Sequence, residues 1–185
     1  MSPTSFPPNE FWDFSSRLYA RDGVAEASLA LQDRHGIDVN LLLFCCWVAA
    51  SGRGTFEDGE LESAIDRVAA WRDNVILPLR DLRRYLKGGA APAPYQLADE
   101  LRRVIADIEL HGEHVEQLIL SAGMTRLGTG SFEAHRQARD AAVNLSRYFA
   151  ILAIGLDEET DRAALRILVS AAFPSVEDWL VADWI

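Results

Sequence analysis

Chemistry in this chain would have to come from a few polar clusters set among apolar helices. The densest lies between Leu29 and Leu43 (LALQDRHGIDVNLLL), where Gln32, Asp33, Asp38 and Asn40 crowd the boundary between two helices. A carboxylate there could act as a base or anchor a ligand, with the amides as orienting groups. Arg72 is the one charge on an otherwise aliphatic stripe, and a guanidinium so placed needs a carboxylate or an anion. Asp33 and Asp38 are its natural partners. These five residues make a candidate polar pocket for an anionic ligand between the second, third and fourth helices. They also read as plain structure: Asp38 as a helix cap, Asn40 bonded in the first turn, Gln32 and Asp33 closing the preceding helix. Arg72 then becomes an ion pair or a snorkelling side chain. A second cluster is basic. The three-to-four spacing of Arg80, Arg84 and Lys87 puts them on one helix face, beside Arg83. That face could receive an acidic partner or a phosphate, although bases in a last turn also complement the helix dipole.

The histidines do not build a metal site. His111 and His114 stand three apart, but the paired Glu-x-x-His pattern of di-iron bundles is absent: Gly112 follows Glu109 by three, and Glu116 follows Glu113. His135 falls on another helix at a different level. Zinc or iron needs three or four converging ligands, so no metal and no cofactor is expected. There is no nucleophile elbow, phosphate loop, dinucleotide fingerprint or Cys-x-x-Cys pair.

Composition narrows the partners. The 185 residues carry 28 acids against 18 bases, a formal net charge of −10. Nucleic acid needs a basic footprint, and an acidic membrane surface would repel this chain, so neither is expected as a partner. Cys45 and Cys46 are adjacent in an apolar run and read as buried free thiols in a reducing compartment. The first ten residues contain no base and no apolar stretch, so no signal peptide is read there. The expected location is the cytoplasm.

The elements that would position these groups are helices throughout. No alternating strand pattern appears, and 185 residues suit one domain without a staple. Asn9 caps a helix to residue 20. Another, over 24–35, ends at Gly36 and buries Leu29 and Leu31. Asp38 caps a third over 39–51, apolar on nearly every side and therefore expected as the central element of the bundle. A fourth runs over 58–87 with the stripe Leu61, Ile65, Val68, Arg72, Val75, Leu79, Leu82 and Leu86, and Pro78 should kink or break it. A Gly/Ala/Pro linker over 88–94 divides a first helical half (9–87) from a second (95–185) of a single domain. The fifth helix starts near Pro94, with Leu97, Leu101, Val104, Ile105 and Ile108 on its stripe. A sixth is capped by Ser131 and carries His135, Ala138, Ala142, Leu145, Phe149 and Leu152. A seventh, capped by Asp157 or Thr160, ends before Pro174. A short last helix from Ser175 seats Trp179 and Leu180. The five tryptophans read mainly as core.

Several of these stretches resemble a known family. Phe11-Trp-Asp-Phe-Ser15, Leu31-Gln-Asp33, Gly36-Ile-Asp-Val-Asn-Leu-Leu-Leu43 and Trp47 resemble the start of a bacterial family of all-helical proteins of unknown function. Trp71-Arg72 and the segment from Pro78 to Lys87 are similar to its second block. The resemblance reaches Lys87 and implies a soluble bacterial helical protein, without an activity or site residues. The leading reading is therefore a non-enzymatic module that binds another protein or itself. The alternative is a small-molecule-binding protein or enzyme using the polar pocket.

Overall fold

Asn9 sits in extended backbone, and its Oδ1 accepts from the amides of Phe11 at 2.9 Å and Trp12 at 3.3 Å. Those bonds satisfy donors that a first helical turn leaves open. In the computed structural model this cap starts α1 (Glu10–Tyr19), the first of a series of helices; residues 6–156 and 158–185 are described. α2 (Val24–His35) ends on left-handed Gly36, φ +67°, whose N–H donates to the Gln32 carbonyl. Asp38 caps α3 (Val39–Val48), accepting from the Asn40 N–H at 2.8 Å. Every residue from Asn40 to Ala49 is buried. The chain then widens through a π turn (Ala49–Arg53) and leaves the helix at Gly52, φ +75°. A Cβ on Gly52 would stand 2.6 Å from the Phe132 ring, so conformation and space both call for glycine there.

The residues from 60 to 86 form two helices joined by a π turn: α4 (Glu60–Trp71), the turn Arg72–Ile76, and α5 (Leu77–Leu86). Pro78 causes no break. It has no N–H to offer the Asn74 carbonyl, and just before it the Leu77 N–H reaches back five residues to the Arg72 carbonyl. The helix takes up the proline by widening. After residues 88–94, α6 runs over Tyr95–Gly123, followed by α7 (Ala134–Ile151), α8 (Glu159–Ala172) and α9 (Asp178–Ala182). None of the described helices is long and apolar enough to cross a membrane.

The chain divides into two compact units. The first comprises the chain up to Ser63 together with Met124–Ile185; the second is Ala64–Gly123. Residues 88–94 thus lie inside the second unit, between α5 and α6. In the first unit α3 packs on α7 and α2 on α8. Phe11, Phe44, Trp47 and Phe56 form an aromatic cluster with ring centroids 5.3–5.8 Å apart. Cys45 and Cys46 are buried and free, and burial pushes the Cys46 thiol up to about 12.

Several local expectations are corrected. Leu29 is exposed, because α2 turns Val24, Ala27, Ser28 and Leu31 inward instead. α7 begins three residues after Ser131, whose Oγ accepts from the Glu133 N–H in the preceding loop. His135 and Leu152, at the two ends of α7, stay in water. Glu158 holds the cap position of α8; the alternative cap, Asp157, lies outside the described residues. Trp179 is exposed, and Val181 is the buried anchor of α9.

Candidate functional site

The residues of the sequence-predicted pocket are distributed over both units. In the first, Gln32 is half-buried and Asp33 exposed in the last turn of α2. Asp38 and Asn40 are buried, and their connection is the cap itself. The Asp38 N–H donates to the Tyr148 hydroxyl of α7 at 3.0 Å, so this corner is fastened to the core. Arg72 belongs to the second unit, in the π turn, with Asp73 3.5 Å away. The cap role of Asp38 is therefore visible in the geometry.

A charged cluster that sequence reading missed ties α2 to α8. Asp161 is almost wholly enclosed. Its carboxylate accepts from Arg34 Nη1 and lies 2.8 Å from His35 Nε2. Arg34 also donates to Thr160 Oγ1 at 2.7 Å. The bases stand in the last turn of α2 and the acid in the first turn of α8, so each helix end receives the charge its dipole favours. The signal was present in Arg34-His35, but its partner lies 126 positions away in sequence.

Loop ends in the first unit are held by buried and half-buried polar groups. Asn144 is fully buried and makes three bonds: its Oδ1 accepts from the Phe56 N–H at 2.9 Å, and its Nδ2 donates to the carbonyls of Cys45 and Gly54. Arg126 donates to the carbonyls of Arg53 and Thr55 and to the Glu60 carboxylate. Burial works to raise the Glu60 carboxyl, but its bonds from Arg126 and the Glu57 N–H hold it below the ordinary range. These arrangements fix backbone; they leave no free acid–base pair.

The second unit is built around the α5–α6 hairpin, and its two sides differ. On one side Arg80 donates to Glu109 and Glu113, each at 3.0 Å, and Arg83 donates to Glu109 at 2.5 Å. Burial would raise the Glu109 carboxyl, but the bonds from Arg83 and Arg80 outweigh it and hold it low. Arg80 is therefore largely enclosed in an internal network, while Arg84 and Lys87 remain exposed. The expected basic face of Arg80, Arg84 and Lys87 loses its first member. Arg83 turns inward because it, like Arg80, faces the acids of α6. Within the hairpin, Leu86, Ala98 and Ile105 form the small apolar centre, with Leu79 and Ala90 against it.

The other side is apolar and open. Leu97, Leu101, Val104 and Ile108 repeat at four and three along α6, and they are 46–59% exposed. They were expected in the core. At about 100° per residue the α6 stripe lies on the opposite flank of Ile105 from Glu109 and Glu113. The same rotation on α5 carries Leu82 and Tyr85 away from Arg80 to that same side. Leu82 is 45% and Tyr85 65% exposed. The spacing was legible from sequence; which side of the hairpin would meet water was not.

The family comparison agrees with the sequence resemblance and extends it. A model of a family described as a protein of unknown function (DUF2390) matches residues 10–120, past Lys87 and through most of α6. No curated protein and no solved structure matches the chain. The matched span covers more than half of the sequence, and the chain belongs to this family of unknown function, DUF2390.

Proposed function

We propose that this chain is a non-enzymatic protein-interaction module whose docking surface is the apolar side of the α5–α6 hairpin. The observation that carries the reading is the open stripe Leu97–Leu101–Val104–Ile108 with Leu82 beside it. Single exposed leucines are ordinary, but a continuous apolar row along three helical turns is the mark of an interaction site. The polar clusters elsewhere support the same reading, because their bonds go to caps, loop carbonyls and helix ends. The free thiols of Cys45 and Cys46 support a reducing compartment such as the cytoplasm.

Site-specific photo-crosslinking tests this. A benzophenone side chain at Val104 should give a discrete cross-linked product in cells, and the same group at Arg102 should not. Ile108→Asp should remove the product. Equal yields at both positions would reject the hairpin as the docking surface.

A further inference from the structure

The rim of the apolar stripe has one sign of charge. On the open edge of α6, Glu100 and Asp107 border Leu101, Val104 and Ile108, and all of them are exposed. The bases of the hairpin are on the other side or already engaged. Arg80 and Arg83 hold Glu109, and Arg102 and Arg103 hold Asp99 at 2.8 and 2.7 Å. The result is an apolar strip with an acidic border. The strip runs about 16 Å from Leu97 to Ile108 at 1.5 Å per residue, the length of about three helical turns. With Leu82 and Tyr85 it exposes on the order of 600 Å², a large patch for a monomer and most of the ~800 Å² per side of a standard interface.

Resting on the interaction surface proposed above, we infer that its occupant is an amphipathic helix of another protein, apolar at three-to-four spacing and flanked by Lys or Arg. Such a helix lays its apolar row along the stripe and sets its bases against Glu100 and Asp107. A second copy fits less well. Laid antiparallel about the middle of the stripe, it would bring Glu100 of one copy within about two residues along the axis of Asp107 of the other, and like charges so close across a helix pair oppose association.

Fluorescence anisotropy with two labelled synthetic peptides of equal length tests the inference. Both carry leucines at three-to-four spacing; one has Lys flanks and the other Glu flanks. The Lys peptide should bind the 185-residue chain at least about tenfold more tightly than the Glu peptide, an advantage that shrinks with added salt. The double change Leu101→Asp with Ile108→Asp should abolish binding even though it makes the surface more negative. Glu100→Gln with Asp107→Asn should weaken binding and flatten its salt dependence. If the Lys peptide binds the Leu101→Asp, Ile108→Asp chain as well as the parent, the attraction is general and the inference falls. If neither peptide binds and sedimentation shows a dimer that Leu101→Asp dissolves, the occupant is a second copy: the inference falls and the docking surface stands. If neither binds and every variant is monomeric, both fall.

Discussion

In the first unit Asn144 is fully buried with both polar atoms of its side chain bonded; in the second, leucines stand in water while arginines and glutamates lie between two helices. The contrast follows from size. The first unit has enough helices to cover α3 on every side, and its enclosed polar groups fix loop ends and, at Asp161, the ends of two helices. The second is built mainly on the α5–α6 hairpin, whose centre is Leu86, Ala98 and Ile105, and one side of that hairpin is left uncovered. Polar groups enclosed in the first unit therefore hold a shape, while a continuous apolar row of the second is left facing water.

The comparison breaks first at Asn144. Asn144→Ala removes three bonds and leaves the Phe56 N–H and two carbonyls without that partner in a dry interior. It should cost about 3–5 kcal/mol, read as a lower urea midpoint. Stability within about 1 kcal/mol of the parent would mean that water reaches these groups and that the first unit is not sealed.

Glu109→Gln should cost about 2 kcal/mol, because Arg83 loses its charged acceptor and Arg80 is left with Glu113. Its pH dependence carries a sign. The Glu109 carboxyl is held below its ordinary range when folded, so the network stabilises fully above the unfolded carboxylate value. That contribution disappears as pH falls through the depressed folded value. The gap between parent and Glu109→Gln in thermal melts should therefore be constant near neutrality and close under acid. A gap that widens under acid would refute the assignment.

Asp161→Asn should cost about 1–2 kcal/mol, since Arg34 stays partly exposed and regains solvent. Double-mutant cycles with His35→Ala would separate the imidazole from the guanidinium. The smallest expected effect on stability is the most informative about function. Leu101→Asp should change the unfolding free energy by no more than about 0.5 kcal/mol, because the side chain is already half in water. A large loss would show that the stripe is covered in solution, and the contrast between the units would vanish.

Much of the fold was legible because helix ends are local. Asn9, Gly36 and Asp38 act on neighbours two to four positions away, so their roles follow from short-range chemistry. The uniformly apolar run of α3 could only be a buried helix, and it is buried. The proline was read correctly as a disturbance, but the helix does not break there, since a π turn widens it just before. Starts without a bonded cap, as at α7 and α8, carried no dependable local signal.

The sequence by itself determined helical class, the caps at Asn9, Gly36 and Asp38, the apolar stripes and the family, because all four depend on residue types at short spacing. Only the tertiary structure decided which stripes are covered and which charges are matched. Arg34 and His35 find Asp161 across more than a hundred residues, Arg80 turns from a surface base into part of an internal network, and the α6 stripe is left facing water. Spacing fixes which residues share a face of a helix. What that face meets depends on where the rest of the chain is packed.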